Sequence, residues 1–296
     1  MVDVVAPEDS WDTWSPVASK TAAKSAQTYE DYVLRGPTVL PTASTRLLIW
    51  LACASATRDC THEHVLVDTT DGEWQLHNCS VLTLSPAVFL SEGHIAALAD
   101  ALADCSDGVL CPTSLALQTV PLNYEGSRVL AMAIANGTLL TSLALAWNAV
   151  HVEGTLRLTE ALATNRTALT SLTLDSNGIG DVGAAAVAGL AAANGATRLR
   201  HLSLAANLIS DEGARALAGA IRAGAPFVSL DLRRNRITEL GLAVLVDAVE
   251  AARAAAGGAR PWEAFAFEGN PAAAAEGGAA LLDRLRTALD GGQLTF

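Results

Sequence analysis

A short leucine-containing phrase recurs along the chain and constrains its fold more than any other feature. Aligned on their central residues, the phrase L-x-x-L-x-L and its close variants give seven units that are 28 to 35 residues apart. The central residues are Leu82, Leu115, Leu143, Leu172, Leu202, Leu230 and Phe265. Such periodicity is typical of stacked supersecondary units, each of which buries its apolar face only against its neighbours. The sequence therefore predicts a solenoid.

Each unit combines the signals of a strand and a helix. Apolar residues at the centre and two positions later place their side chains on one face of a short strand. Five residues after the centre, an asparagine suits a turn, because its side chain can bond backbone groups there. The asparagines are Asn148, Asn177, Asn207, Asn235 and Asn270. Eleven residues after the centre, a glycine marks the entry to a helix in six units, and an acid such as Glu153 or Glu212 precedes it. Apolar pairs at helical spacing then give the helix a buried stripe.

This pattern resembles the ribonuclease-inhibitor-like class of leucine-rich repeats, in which L-x-x-L-x-L-x-x-N is followed by a full helix. The resemblance covers roughly residues 76–275. It implies an α/β horseshoe of about seven repeats, with a parallel sheet on the concave side and helices on the convex side.

The repeats divide the chain into four predicted parts. Residues 1–45 form an acidic arm that contains tryptophan and tyrosine, and residues 46–78 form an N-terminal cap. Residues 79–275 form the leucine-rich repeat domain, and residues 276–296 form a C-terminal capping helix and tail. The arm either folds on the repeats or docks onto another protein, and the sequence leaves both alternatives open.

Composition narrows the classes of partner and compartment. The net charge of -12 disfavours nucleic acid, because binding to phosphates needs clustered Lys and Arg. Five cysteines fit no closed disulfide framework and indicate an intracellular protein. The apolar segment 46–56 is far shorter than the roughly 20 residues of a membrane helix, so no membrane span is expected. Glycosylation sequons at Asn78, Asn136 and Asn165 keep a secreted protein as an alternative.

No catalytic constellation is apparent in the sequence. Phosphate-binding loops, nucleophile elbows and zinc-protease motifs are absent. Cys60, His62 and His64 could share one face of a strand, but their spacing matches no standard zinc site, so neither a metal nor another cofactor is predicted. Asp211 and Glu212 lie at a predicted helix start, where capping explains them. We expect a protein that is not an enzyme.

The predicted concave face consists of the third, fifth, seventh and eighth residues of each phrase. Most of these residues are Ser, Ala or Thr, which allow another backbone to approach closely. The exceptions are Trp147, Asp175, His201, Asp231, Arg233 and Arg234. Because Trp and Arg are enriched at interface hot spots, we expect these residues to contact a protein partner, together with Trp11 and Trp14 of the arm.

The resemblance implies a protein-protein interaction module. Proteins of this repeat class serve as enzyme inhibitors, as sensor regions of immune receptors, and as structural subunits of cytoskeletal, ciliary and organellar assemblies. A scaffold or structural subunit within a hetero-complex is the leading interpretation. The alternatives are a GTPase-activator-like or enzyme-inhibitor-like regulator, and a secreted or surface recognition domain. Fold alone does not choose among them.

Overall fold

A computed structural model describes residues 67–68, 74–75, 81–84, 113–117, 122–135, 140–164, 169–193, 198–257, 262–289 and 292–295. The predicted arm at residues 1–45, with Trp11 and Trp14, lies outside these residues. So do most of the predicted cap and the Cys60, His62 and His64 cluster.

One parallel sheet organises the described chain. Its eight strands follow one another in chain order, from β3 at one edge to β10 at the other. The strands are β3 Val81–Leu84, β4 Ser114–Leu117, β5 Ser142–Ala144, β6 Ser171–Thr173, β7 His201–Ser203, β8 Ser229–Asp231, β9 Ala264–Ala266 and β10 Gln293–Thr295. A separate antiparallel pair, β1 Val67–Asp68 and β2 Trp74–Gln75, precedes the sheet.

The register of the sheet follows the leucine pattern. Leu82 pairs with Leu115, and the pairing continues through every central residue to Phe265, without a slip. These residues are buried from Leu115 onward, and so are the apolar residues two positions later. A slip of one residue would turn both sets toward solvent, so the hydrophobic pattern fixes the register.

Helices connect the strands and cover one face of the sheet. They are α1 Asn123–Ala135, α2 His151–Thr164, α3 Gly180–Ala192, α4 Asp211–Arg222, α5 Glu239–Ala255, α6 Pro271–Ala274 and α7 Gly278–Leu289. Neighbouring helices pack against one another along the stack, and the long helices bury stripes of apolar residues, whereas the short α6 buries only Ala272. Between β4 and β9 every strand is followed by one long helix, which confirms the predicted solenoid of strand-helix repeats.

The C-terminal end of the sheet differs from a simple capping helix and tail. Helix α7 buries Leu282 and Leu285 against the last repeat, and Leu281 is half-buried. The chain then returns to the sheet as β10, which pairs in parallel with β9. Strand β10 was not predicted, because "GGQLTF" contains too few apolar residues to signal a strand.

Candidate functional site

A ladder of buried asparagines runs beneath the turns that follow the strands. The Nδ2 of Asn207 donates to the carbonyl oxygen of Leu174 at 2.8 Å, and its Oδ1 accepts from the backbone N–H of Asn177 at 2.9 Å. Asn177 and Asn235 repeat the same two contacts with the repeat before each of them. The amide side chain suits this role because it carries both a donor and an acceptor. The predicted turn asparagines therefore also join each repeat to the preceding one.

A second ladder joins the N-termini of the helices. The carboxylate of Asp181 in α3 accepts from the backbone N–H of Ser210 at 2.7 Å and of Gly213 at 3.0 Å, at the start of α4. Asp211 makes the same contacts with Thr238 at 2.7 Å and Gly241 at 3.1 Å. Each carboxylate thus binds N–H groups that have no partner within their own helix.

This second ladder corrects the predicted role of the acids. The inter-repeat bonds are made by Asp181 and Asp211, which lie two positions before the glycine of their own repeats. Glu212 lies directly before Gly213, is exposed and pairs with Arg215. Asp211 caps the next helix, and Ser210 caps its own by accepting from the N–H of Glu212. The glycine is required for this arrangement, because a Cβ on Gly213 would lie 2.5 Å from Ile209 Cγ2 and 2.7 Å from Asp181 Oδ1.

The structure places the six predicted contact residues at two levels of the concave side. His201 and Asp231 lie in strands β7 and β8. Trp147, Asp175, Arg233 and Arg234 lie in the turns that follow the strands, because the central strands are only three residues long. The seventh and eighth positions, which were predicted to lie on the concave face together with the strand residues, therefore lie beyond the ends of the strands.

The eighth position has a left-handed backbone in five successive repeats. Trp147, Ser176, Ala206, Arg234 and Gly269 have φ values between 55° and 75°. The backbone N–H groups of the first four bond the next turn, as between Trp147 and Asp175 at 2.9 Å, so these turns stack as regularly as the strands. Few non-glycine residues adopt this region, and the eighth position gave no sequence signal of it because only one of the five is Gly.

Charged side chains gather on the C-terminal half of the concave side. Asp231 and Arg233 form an ion pair at 2.6 Å, and both carboxylate oxygens of Asp231 accept from the Arg233 guanidinium. These bonds hold the pKa of Arg233 above its ordinary value. The Nδ1 of His201 lies 3.9 Å from a carboxylate oxygen of Glu263. Sequence reasoning missed Glu263, which lies one position before the predicted face.

Asp175 is a partly buried acid on the same side. Its Oδ1 accepts from the hydroxyl of Ser203 at 2.5 Å and from the N–H of Ala205 at 2.9 Å. Burial raises the pKa of Asp175, the two hydrogen bonds oppose that shift, and nearby Asp231 adds to it. The side chain of Asp175 is thereby fixed to the next repeat.

The N-terminal half of the same side is smooth. Strands β4 and β5 present Ser114, Ala116, Ser142 and Ala144, all partly buried and without charge. Trp147 follows directly, with 63% of its surface exposed. The concave side therefore changes from small side chains to charges along the stack.

The described residues hold no group of three His, Cys, Asp or Glu side chains that could bind a metal ion. Within the same ranges, no helix is both long and apolar enough to cross a membrane. A shallow groove between α5 and α7 contains Arg284, which bonds Asp247 at 2.8 Å and Glu250 at 2.7 Å. These ion pairs hold α7 against α5.

The class of protein follows from the repeats, their sheet and their ladders. Residues 167–188 and 196–218 match the family described as Leucine Rich repeat. The first segment contains β6 and the start of α3, and the second contains β7 and the start of α4. The fold and these matches define a solenoid of leucine-rich repeats. No curated protein matches the chain in a sequence comparison. Leucine-rich repeats indicate a protein-protein interaction module, whose candidate surface is the concave side.

Proposed function

We propose that the protein is a non-enzymatic scaffold or structural subunit of a larger assembly and binds its partners through the concave side. The contact residues are Trp147, Asp175, His201, Asp231, Arg233 and Arg234, joined by Trp11 and Trp14 of the N-terminal arm. Ciliary, cytoskeletal and organellar assemblies are the proposed settings, and the protein is proposed to act inside the cell within a hetero-complex.

One observation carries the proposal. Trp147 has 63% of its surface exposed on a backbone with a φ of 62°. The exposed part of a tryptophan side chain contributes little to folding, whereas it provides a large contact area for a partner. The turn around it is bonded to the next turn at Trp147 and at His151, so its position is defined before any partner arrives.

The charged side chains of Asp175, Asp231 and Arg233 are proposed to select between partners, which an exposed tryptophan alone does not do. Asp231 and Arg233 form an ion pair with each other, and Asp175 accepts a hydrogen bond from the hydroxyl of Ser203. These side chains are therefore ordered before a partner binds. Prearranged charges reject partners with the wrong charge pattern more than they add affinity. The proposed partner therefore has polar side chains opposite β7 and β8 and an apolar contact opposite Trp147.

The ribonuclease-inhibitor-like subclass is part of this proposal. The helices α1 to α5 are 12 to 17 residues long, which supports repeats with a full helix rather than a shorter convex segment.

The test compares the proposed concave site with an exposed residue on a helix. The double variant Trp147→Ala with Arg233→Ala should lose most of the proteins that co-purify with the wild-type chain. The matched control is Leu156→Ala on α2 of the same repeat, where the side chain is also exposed at 42%. It should retain those proteins. If the double variant keeps the same partners as the control, the concave site is wrong and the arm with Trp11 and Trp14 becomes the remaining proposed site.

Each alternative function remains a prediction, and a different measurement tests each one. A GTPase-activator-like regulator should accelerate GTP hydrolysis by a small GTPase, and an arginine replacement should remove the effect. An enzyme-inhibitor-like regulator should suppress the activity of its target enzyme. A secreted recognition domain should carry a glycan at Asn136 or Asn165.

A further inference from the structure

The helices of the solenoid are not linked equally along the stack. Asp181 of α3 bonds backbone N–H groups at the start of α4, and Asp211 of α4 does the same at the start of α5. Val152 occupies the equivalent position in α2, two residues before the glycine of its repeat. A valine has no carboxylate that could accept such bonds. The contact between α2 and the start of α3, which we call the α2–α3 junction, therefore lacks this link.

The start of α3 also lacks the group that would receive the link. Ser210 and Thr238 precede α4 and α5, and their hydroxyls donate to the acid of the preceding repeat at 2.7 Å and 2.6 Å. Gly180 stands at the equivalent position of α3 and has no hydroxyl. The N–H of Gly183 bonds the carbonyl oxygen of Ile179 at 3.1 Å, within its own repeat. Both halves of the inter-repeat bond are thus missing at the α2–α3 junction.

Helices α2 and α3 also approach each other less closely than their neighbours do. The glycine eleven residues after each strand centre faces the preceding helix, so the distances from a Cβ placed there measure the gap. On Gly213 and Gly241 this Cβ would lie 2.7 Å and 2.5 Å from the acid of the preceding helix. On Gly154 it would lie 2.9 Å from the Cβ of Ser127 in α1. On Gly183, no atom of α2 would be nearer than 3.5 Å.

The sheet side of the same junction is fully bonded. The backbone N–H of Trp147 donates to the carbonyl oxygen of Asp175 at 2.9 Å. The Nδ2 of Asn177 donates to the carbonyl oxygen of Leu145 at 2.6 Å, and strands β5 and β6 pair in register. Because the strands stay about 4.8 Å apart, parting of α2 and α3 would increase the curvature of the concave side.

We propose that the α2–α3 junction is a hinge, at which the helices part first while the sheet stays paired. In a repeat protein, stability is a sum of contacts between neighbours, so opening begins at the junction with the weakest contacts. The hinge divides the candidate surface, because Trp147 lies before it and Asp175 lies after it. A partner that contacts both halves therefore fixes the hinge at one curvature. This inference goes beyond the proposed function.

Amide hydrogen exchange of the full chain at low urea concentration, resolved by residue with NMR, tests the hinge. Relative to its rate in an unstructured peptide, the amide of Gly183 should exchange at least about tenfold faster than those of Gly213 and Gly241. Equal protection of the three amides overturns the inference. Simultaneous loss of protection in β5 and β6 also overturns it, because the repeats would then separate entirely instead of bending.

The variant Val152→Asp should supply the missing acceptor. The amide of Gly183 should then exchange at least about tenfold more slowly, because the new carboxylate lies where Asp181 bonds the next repeat. The matched control is Leu156→Asp at an exposed position of α2, which should leave this amide unchanged. Circular dichroism verifies that each variant is folded.

The converse variant decides the matter if Val152→Asp fails to fold, since Val152 is half-buried. Asp211→Ala removes the acceptor between α4 and α5, and the amide of Gly241 should then exchange about as fast as that of Gly183. An unchanged amide of Gly241 would show that the acids do not hold the helices together, which overturns the inference. The purified chain alone is measured, so the proposed function is tested separately.

Discussion

Replacing Asn207 with alanine should lower the free energy of unfolding by about 4 kcal/mol, roughly twice the loss at Asn148. The side chain of Asn207 makes short bonds with the N–H of Asn177 and the carbonyl of Leu174, and both groups lose their partner in the variant. A third and longer contact, from the N–H of Ile179 at 3.4 Å, adds little to this loss. A buried polar group left without a partner costs about 1–3 kcal/mol, so two such groups give about 4 kcal/mol.

Asn148 is the matched control for this variant. It is also fully buried, and its Nδ2 donates to Leu117 at 2.7 Å. However, no donor among the described residues reaches its Oδ1. Asn148→Ala therefore removes the same atoms but orphans only one backbone group, for a loss of about 2 kcal/mol.

Urea unfolding followed by circular dichroism measures both variants, and the m-value must stay unchanged for the free energies to be compared. Hydrogen exchange at the amide of Asn177 provides a local measurement, because that amide should lose protection in Asn207→Ala alone. Equal losses of stability in the two variants would refute the view that the Oδ1 contact joins the repeats.

Further variants test the second ladder and the partly buried Asp175. Gly213→Ala should destabilise the chain by about 1–3 kcal/mol because the new Cβ meets Asp181, whereas Gly219→Ala on the same helix, with nothing within 4 Å, should stabilise it by about 0.5–1 kcal/mol. Thermal unfolding distinguishes these opposite signs, and a stabilised Gly213 variant would contradict the packing argument. For Asp175, burial raises the folded-state pKa above the ordinary 3.8, so its contribution to stability is present at acidic pH and is lost as the pH rises through the folded pKa. Asp175→Asn should flatten that part of the dependence of Tm on pH, and an unchanged slope would count against the shift.

The sequence predicted the sheet because its register depends on a pattern that each repeat carries. Leu172 pairs with Leu202 because both must face the same core, and no knowledge of neighbouring loops is needed. The asparagines were predicted to satisfy a turn, but their bonds to the preceding repeat depend on how the repeats stack. The same limit explains why Asp211 was assigned to its own helix, although it caps the next one.

The candidate surface was less predictable than the core. The residues Trp147 and Arg234 were selected because large or charged side chains interrupt a row of small ones. Their position in the turn was missed, since the eighth residue has a left-handed backbone in every one of these repeats although it is Gly only once.

The two ends of the concave side impose a direction on any partner that lies along it. Ser142 and Ala144 allow close backbone approach at one end, whereas Asp231 and Arg233 present an ordered ion pair at the other. A partner bound in the reverse direction would place its polar groups on the smooth half and leave the charges desolvated without complement, which costs free energy. Arg233 lies in the turn after β8 and is paired with Asp231, so this charge pair is already formed before a partner binds. We therefore expect a partner on this side to bind in one direction.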